Sequence, residues 1–371
     1  MLEGRDESLV VEGFTPDLKI RPSMLDRMMA EDEKITMSTL KLFVIRKKGR
    51  FFAEGSRRKA SHARTRSSTN RYVIRSNKKG RHIPLSTVAE EICVWALCKV
   101  FALEFNSLLG GEPAIDFLAI ACLKGMSQAR PSQDYMLLQP FLDGSIDKYN
   151  NNAGYIIDED SVSHSASNSC AQAFSHFTFE RSKGRFIACN LQGVGGMLMN
   201  PCIHTQDPEQ FKLVDTNLNA DGFEFFFSTH KCNYICRRLR LRSDLASITR
   251  KGYAFHETWI RRENMSLCAS KLCQKIIRTD TAYSTHFSGR GLKLWCNTCK
   301  SQLLHSTVRQ ECHDEGCNES FDVSPFFFES QGLRTPLTCS KHYEDSGLED
   351  RSFSLDNIEW DVLQPAESLR S

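Results

Sequence analysis

The stretch that decides the fold reads His230-Lys-Cys232-Asn-Tyr-Ile-Cys236. It places one imidazole and two thiols within seven residues, and Zn²⁺ prefers these side chains as ligands. A short turn supplies His230 and Cys232, and one helical turn then brings Cys236 to the same ion. A tetrahedral site needs a fourth ligand, which His176 offers from the earlier run Gln172-Ala-Phe-Ser-His176-Phe-Thr-Phe. The alternative is a small polar turn with buried thiols.

Other short motifs separate and precede these ligands. Between His176 and His230 the chain reads Asn190-Leu-Gln192-Gly193-Val-Gly195-Gly196, then Met199-Asn200-Pro201, then Thr216-Asn217-Leu-Asn219. Before His176 it reads Phe52-Ala-Glu54-Gly55, Glu104-Phe-Asn106 and Gly144-Ser-Ile-Asp-Lys148-Tyr-Asn150-Asn151-Asn152-Ala-Gly154. In this order the motifs resemble those of the alpha-kinases, the atypical serine/threonine kinases of the myosin-heavy-chain kinase, elongation-factor-2 kinase and channel-kinase type. The resemblance covers residues 40–243 and is strongest from 138 to 240.

The resemblance implies an α+β, two-lobed, alpha-type protein-kinase fold that contains one structural zinc ion. The zinc ligands that it implies are His176, His230, Cys232 and Cys236. It also implies ATP and Mg²⁺ as cofactors and a protein serine or threonine as the substrate.

The nucleotide cleft of the family supplies the other predicted site residues. The family has a lysine on an N-terminal strand, an acidic residue at the hinge between the lobes, and two aspartates near the phosphates. The matching residues here are Arg75, Gln139, Asn190 and Asn200, and Gln192 keeps the family's magnesium-side amide. By the same resemblance, the nucleotide is predicted to contact Lys148, Gly193, Gly195, Gly196 and Asn217.

These departures from the family pattern change the chemistry of the cleft. Asn190 cannot accept a proton, so general-base assistance of typically ~10²–10⁴-fold is lost there. Asn190 and Asn200 together remove two negative charges from a site for a hard cation, which prefers anionic oxygen. Arg75 keeps a positive charge but offers a planar fork in place of a compact ammonium. We therefore predict an impaired, pseudokinase-like cleft with weakened ATP and Mg²⁺ binding; in an active kinase, Asp215 or Asp221 would have to substitute.

The C-terminal part of the chain is rich in cysteine. Its ligand pairs are Cys268-x4-Cys273, Cys296-x2-Cys299, Cys312-x4-Cys317 and Cys339-x2-His342. Paired ligands at this spacing indicate zinc sites. Pairing in sequence order gives two sites, the second resembling a zinc ribbon. The alternatives are a cross-brace, in which the first pair joins the third, and buried cysteines without a metal.

Composition limits the class of protein. The chain has 371 residues, of which 40% are hydrophobic and 25% charged, as in an ordinary globular protein. No apolar run approaches the ~18 residues of a membrane helix, and the N-terminus does not read as a signal peptide. We therefore expect an intracellular, cytoplasmic chain with no membrane partner. In a reducing compartment its 15 cysteines favour metal sites over disulfides.

Charge is distributed unevenly along the sequence. From Arg46 to Arg81 there are fourteen Lys or Arg residues and one acid. We interpret this run as a solvated surface with a mobile loop; a kinase target at Arg57-Arg-Lys-Ala-Ser61, a nuclear signal or a nucleic-acid patch is the alternative. From Tyr343 to Ser371 there are eight acids and two bases, which favours a disordered tail.

Four segments follow from these patterns. We predict a polar N-terminal segment (1–40) that is weakly ordered except for an amphipathic turn around Met24 to Met29. An alpha-type kinase domain (41–243), a zinc-binding module (244–342) and an acidic tail (343–371) follow. Apolar residues at helical spacing from Val88 to Phe105 predict a long helix. The function predicted first is that of an impaired alpha-type kinase with an ATP-binding cleft. The alternatives are an active serine/threonine kinase and an adaptor whose zinc module binds a protein or nucleic acid.

Overall fold

The N-terminal part of the chain is built on a curved sheet. A computed structural model describes residues 6–18, 24–30, 35–55, 57–78, 82–112, 114–125, 135–157, 165–259, 264–287, 291–342 and 352–354. The strands of the sheet are β1 (Glu7–Pro16), β2 (Thr36–Glu54), β3 (Arg58–Thr65), β4 (Arg71–Asn77), β6 (Ala121–Gly125) and β7 (Tyr135–Pro140), and β5 (Asp116–Phe117) belongs to another sheet. Their order is β1-β6-β7-β4-β3-β2, and β2 also pairs with β1. The six strands therefore form a closed ring.

Two helices pack against this sheet, and with it they form what we call the N-lobe, residues 6–140. They are α1 (Met24–Met29) and α2 (Leu85–Leu109). Helix α2 ends at Gly110, whose φ of 68° suits glycine and whose N–H bonds the Asn106 carbonyl. Most of α2 is buried, with Trp95, Phe101 and Phe105 at its centre. The predicted helix at Val88–Phe105 is thus confirmed.

The described part of the C-lobe, residues 141–259, combines four helices with several short strands. Its strands are β8 (Asp147–Lys148), β9 (Phe186–Cys189), β10 (Gln192–Val194), β11 (Met197–Met199) and β12 (Cys202–Thr205). Its helices are α3 (Ser165–Arg181), α4 (Asn219–Thr229), α5 (Tyr234–Arg238) and α6 (Leu245–Thr249). Strands β5, β11, β10 and β8 form one sheet, and β9 pairs with β12. Aromatic rings of α2 and α3 meet in the core, with Phe105 and Phe174 centroids 5.5 Å apart.

The C-terminal module, residues 264–342, consists of three small hairpins and two short helices. Its strands are β13 (Met265–Leu267), β14 (Ile276–Arg278), β15 (Tyr283–Phe287), β16 (Gly291–Trp295), β17 (Val308–Glu311) and β18 (Ser320–Val323), and its helices are α7 (Asn297–His305) and α8 (Pro325–Ser330). Neighbouring strands pair in the order of the sequence. The module packs on the N-lobe, where Leu272 joins the buried cluster that contains Tyr72, Ile74 and Leu138.

The structure corrects three of the predicted segments. Weak order was expected over residues 1–40, but β1 pairs on both sides and its Val11 and Phe14 are fully buried. The turn expected at Met24–Met29 is present as helix α1. The predicted boundary at 243/244 is also misplaced. Residues 244–259 pack on the C-lobe, where the Trp259 and Phe177 ring centroids lie 5.3 Å apart. In the predicted acidic tail, β19 (Ser352–Ser354) pairs with Thr36–Ser38 of β2. The rest of the tail lies outside the described residues. Residues 79–81 of the basic run also lie outside them.

Helix α2 contradicts the expectation that no apolar run approaches the length of a membrane helix. By length and composition it is the one helix in the described part of the chain that reaches the requirement for crossing a membrane. In the folded chain, however, 78% of its most apolar 18-residue window is buried. Its hydrophobic character is therefore that of a core helix, which is apolar on every face.

A buried ion pair joins three parts of the fold. Lys99 on α2 and Asp116 on β5 are 1% and 4% exposed. The Asp116 carboxylate accepts hydrogen bonds from the Lys99 ammonium, from the Phe117 N–H at 2.7 Å and from the Ile276 N–H of β14 at 2.8 Å. Lys99 also donates to the Phe117 carbonyl at 2.8 Å. The two buried charges thus neutralise each other, and the C-terminal module is tied to the core helix through the Asp116 carboxylate.

Removal of this carboxylate is expected to destabilise the whole chain. Asp116→Ala leaves the Lys99 ammonium buried without a counter-charge and the Ile276 N–H without an acceptor. A broken buried pair of this kind costs about 3–5 kcal/mol. Urea unfolding followed by tryptophan fluorescence measures the loss. The control is Asp280→Ala, which breaks an exposed pair with Arg278 and is expected to change the unfolding midpoint much less. Equal midpoints for the two variants would contradict the assigned role.

Candidate functional site

The side chains of His176, His230, Cys232 and Cys236 lie at one place although 54 positions separate the two histidines. Their ligand atoms all lie within 4.8 Å of one another. His230 Nε2 is 3.1 Å from His176 Nδ1. The Cys232 Sγ is 3.6 Å from His176 Nδ1 and 3.8 Å from His230 Nε2. The edges of a tetrahedron with zinc–nitrogen and zinc–sulfur bonds are about 3.3–3.8 Å long. The donor set therefore fits Zn²⁺.

Neighbouring groups fix the orientation of these donors. His176 Nε2 donates to the Ser243 carbonyl at 2.9 Å, which leaves Nδ1 facing the other ligands. Glu180, one turn further along α3, accepts the Ser243 N–H at 2.9 Å. Burial, and secondarily the nearby His176, lowers the pKa of His230 to about 3. Burial also lowers the pKa of His176, and the neutral imidazole is the form that binds a metal. Asn233 caps α5 by accepting from the Ile235 and Cys236 N–H groups.

The cysteine pairs of the C-terminal module come together in sequence order. One set contains Cys268, Cys273, Cys296 and Cys299, and the other contains Cys312, Cys317, Cys339 and His342. In the first set the Cys273 and Cys296 sulfurs are 3.8 Å apart. In the second, His342 Nδ1 is 3.7 Å from the Cys312 sulfur and 3.5 Å from that of Cys339. This grouping is not that of a cross-brace.

A fourth set, Cys189, Cys202 and His204, has no free imidazole nitrogen. The sulfurs of Cys189 and Cys202 face each other across β9 and β12, 3.0 Å apart. His204 Nδ1 accepts the Leu218 N–H at 3.0 Å. Its Nε2 therefore carries the ring proton and donates to the Asn152 carbonyl at 3.0 Å. His204 thus links two loops by hydrogen bonds, and neither ring nitrogen is available to bind a metal.

A cavity of about 440 Å³ opens between the N-lobe and the C-lobe. Five predicted residues line it: Arg75, Gln139, Asn190, Gln192 and Asn200. Ala53, Ala60, Ile120, Val94 and Trp95 supply apolar walls. The predicted cleft is therefore present, and it is large enough for a cofactor-sized ligand.

Two asparagines form the C-lobe edge of this cavity. Asn190 and Asn200 both have positive φ, 56° and 49°, a conformation that asparagine tolerates better than most residues. Asn190 Nδ2 donates to the backbone carbonyl of Asn200 at 2.9 Å. The Asn200 Oδ1 is buried and has no hydrogen-bond partner within the described part of the chain. The amides thus hold the two loops together, in a place where the family has carboxylates.

The charged residues of the cleft include several that the sequence prediction missed. Glu91 of α2 accepts from Arg58 Nη1 at 2.6 Å, and Arg57 pairs with Asp215. Arg57 and Arg58 were interpreted as part of a solvated surface run, but the Gly55 turn directs both into the cavity. Both arginines follow the family-like motif Phe52-Ala-Glu54-Gly55, and this position could have indicated that they belong to the cleft. Burial, followed by repulsion from Arg58, lowers the pKa of Arg75 to about 10, so Arg75 is still charged at neutral pH.

The remaining predicted nucleotide contacts do not line the cavity. Lys148 is exposed on β8, and Asp221 is exposed on α4. Asn217 instead holds the loop before α4, accepting from the Thr205 and Asn219 N–H groups and donating to Gln210.

The predicted glycines also have structural roles. Gly195 and Gly196 form the tight turn between β10 and β11, and the Gly195 carbonyl accepts from the Tyr149 hydroxyl at 2.9 Å. A Cβ on Gly193 would lie 2.0 Å from the Met197 carbonyl oxygen, and one on Gly196 would lie 2.0 Å from that of Ala114. Gly193 and Gly196 therefore allow close strand packing, and none of the three glycines is among the residues that line the cavity.

Comparison with known proteins identifies the domain. Residues 53–236 match the model of the alpha-kinase family. This part of the chain belongs to the alpha-kinase family. The chain is 33% identical over 219 residues to myosin heavy chain kinase B of Dictyostelium discoideum, an alignment that covers 56% of this chain and 28% of that protein. It is 39% identical over 112 residues to eukaryotic elongation factor 2 kinase of Mus musculus, covering 30% of this chain and 14% of that protein. The aligned part is thus a minor share of these relatives' length.

Solved alpha-kinase structures share the fold. An alpha-kinase from Entamoeba histolytica gives a TM-score of 0.54 at 24% identity, covering 64% of this chain and 93% of its own. The alpha-kinase domain of myosin-II heavy chain kinase A in complex with adenosine gives 0.51 at 22% identity, covering 64% and 95%. An inactive form of that kinase domain was solved in complex with ATP, with a TM-score of 0.50, 23% identity and coverage of 65% and 100%. The alpha-kinase fold, mixed in helix and strand, confirms the predicted α+β class.

The structural role of the alpha-kinase glycine turn leads to a test. Gly196→Ala forces a Cβ against the Ala114 backbone, and such overpacking costs about 1–3 kcal/mol or more. The thermal unfolding midpoint is expected to fall by several degrees. Gly111→Ala is the control, because an added Cβ there meets nothing within 4 Å. An unchanged midpoint in Gly196→Ala, combined with weaker nucleotide binding, would instead assign the turn to the ligand.

Proposed function

We propose that this chain is a nucleotide-binding alpha-kinase whose phosphoryl-transfer activity is impaired. The proposal rests on one observation, the pairing of the carboxylates in the cleft with arginines. Among the described residues that line it, the carboxylates are Glu91 and Asp215, and each is paired with an arginine. Asn190 and Asn200 occupy the positions where the family has aspartates.

Phosphoryl transfer depends on a carboxylate near the attacking hydroxyl and on metal ions that neutralise the phosphates. An amide can do neither task well: Asn190 cannot accept the proton of a serine or threonine hydroxyl, and its Nδ2 already binds the Asn200 carbonyl. Mg²⁺ prefers one or two carboxylates together with phosphate oxygens and water. The residues present therefore do not fit the magnesium site of an active kinase.

Asp215 is the acid that an active kinase would need to recruit. Its side chain is 68% exposed and is paired with Arg57. To serve as a base or a metal ligand it would have to release that guanidinium. This requirement makes the active-kinase alternative the weaker one. Nucleotide binding itself is supported by the cavity and by the relatives, since an inactive alpha-kinase domain forms a complex with ATP.

The impairment is tested by restoring the family residues. The purified chain is expected to phosphorylate serine/threonine peptides far below ordinary kinase rates of ~1–100 s⁻¹. Asn190→Asp/Asn200→Asp is expected to raise the rate, because it restores a base and two anionic ligands. Asn190→Ala/Asn200→Ala is the matched control, since it changes the same residues without adding charge. The measurement is transfer of radiolabelled phosphate from ATP, and ordinary kinase rates from the unchanged chain would contradict the proposal.

We further propose that all three four-residue sets hold structural zinc. Each set supplies four protein ligands, which is the arrangement of structural and not of catalytic zinc. The ion in the C-lobe would join α3 to α5. The two in the module would hold hairpins whose apolar clusters are small, and Trp295 and Phe327 pack beside the first of them.

Metal analysis tests the zinc proposal. The purified chain is expected to contain about three zinc ions, one for each tetrahedral set. Cys232→Ser, Cys273→Ser and Cys317→Ser are each expected to lower the content by one ion, and Cys170→Ser, outside all three sets, is the control. Zinc is measured by inductively coupled plasma mass spectrometry on dialysed protein. A content near one would leave a single site and overturn the assignment for the C-terminal module.

A further inference from the structure

The cleft has an excess of unsatisfied donors. Arg58 Nε and Nη2, Arg75 Nε and Gln139 Nε2 are buried without a hydrogen-bond partner among the described residues. A buried donor without a partner is costly, and native proteins leave few of them. All three residues line the same cavity. The donors therefore indicate a ligand that carries several acceptor atoms.

The two arginines lie side by side on the N-lobe sheet. In the register of β3 and β4, Ala60 is opposite Arg75 and Arg58 is opposite Asn77, so Arg58 and Arg75 share one face as diagonal neighbours. Repulsion from Arg58 contributes to the lowered pKa of Arg75, which shows that the two charges interact. Like charges held together in this way are stabilised by an anion between them.

The acids of the cleft do not compete for that anion. Glu91 and Asp215 are paired with Arg58 and Arg57. The Arg75 guanidinium forms no ion pair among the described residues, and the nearby Glu91 attracts it only at longer range. The cavity thus presents net positive charge and lacks free carboxylates, the reverse of what a magnesium site needs. A planar guanidinium also matches phosphate oxygens in a bidentate fashion.

We infer that this cleft binds the phosphates of a nucleoside triphosphate directly through Arg58 and Arg75, without a divalent cation. This inference rests on the proposed nucleotide-binding function and gives it a mechanism. The base lies at the hinge end, where the Gln139 amide donates to an acceptor on its edge beside Ile120 and Ala60. The guanidiniums supply the positive charge that magnesium supplies in an active kinase.

The test is a calorimetric titration of the full chain with ATP, with and without millimolar Mg²⁺. Divalent ions are removed from the buffer and the sodium ATP by resin before the protein is added, because a soluble chelator would strip zinc. The Kd of ATP without Mg²⁺ is expected to equal or lie below the Kd with it. Adenosine, which lacks the phosphates, is expected to bind more weakly than ATP.

Two variants and one control test whether the phosphates bind at the arginines of the cleft. Arg75→Gln is expected to weaken magnesium-free binding by about 10- to 100-fold, the size of one lost charge-assisted hydrogen bond. Arg64→Gln is the matched control, since Arg64 lies on β3 and is exposed outside the cavity lining. Asn190→Asp/Asn200→Asp is expected to reverse the ion dependence, so that Mg²⁺ tightens binding. This second variant decides the point if Arg75→Gln fails to fold.

The outcomes separate the two proposals. If the unchanged chain binds ATP only in the presence of Mg²⁺, the direct arginine contact is overturned while the nucleotide-binding function stands. If ATP binds under neither condition, both proposals fail. Equal losses of affinity in Arg75→Gln and Arg64→Gln would also overturn the inference, because the effect would then be one of general surface charge.

Discussion

The Asp116 carboxylate is the point on which the arrangement of the chain depends. It lies in the core between the long helix α2 and the first hairpin of the C-terminal module, and it accepts one hydrogen bond from each. A charge buried at this depth is tolerated only when it is fully paired. The helix, the sheet strand and the module must therefore occupy fixed relative positions. The apolar contacts around Leu272 reinforce the same junction from the sheet side.

The charge pattern of the cleft follows a consistent logic. Among the described residues that line it, both acids, Glu91 and Asp215, are paired with arginines. Asn190 and Asn200 carry amides where the resemblance implies aspartates. Both features agree with the anion binding proposed above. The three four-residue sets of cysteine and histidine, in contrast, each keep their ligand atoms within 4.8 Å of one another. Complete ligand sets beside a cleft without free carboxylates are consistent with the binding function proposed above.

The predictable parts of this structure are those where chemistry imposes a spacing. The pairs of cysteines and histidines could be grouped from sequence because neighbouring ligands close short loops, and the α2 helix because its apolar run is long. The roles of Gly193, Gly196 and Asn217 could not be predicted in the same way. They depend on which backbone approaches from a distant strand, and a local motif does not specify that approach. The burial of β1 was missed for a similar reason, since its partner on one side, β6, lies far along the chain, with Gly125 opposite Val11.

The packing of the C-terminal module on the N-lobe has a consequence for how the chain is made. The N-lobe strands emerge from the ribosome first, yet the Ile276 N–H that completes the coordination of Asp116 lies 160 positions later. At about 5–20 residues per second, that donor follows roughly 8–32 s after the carboxylate. The Gln274 amide that binds the Pro16 carbonyl follows 258 positions after its acceptor. During this interval the sheet exposes the apolar surface that Leu272 later covers, so nascent chains at this stage are natural clients for chaperones.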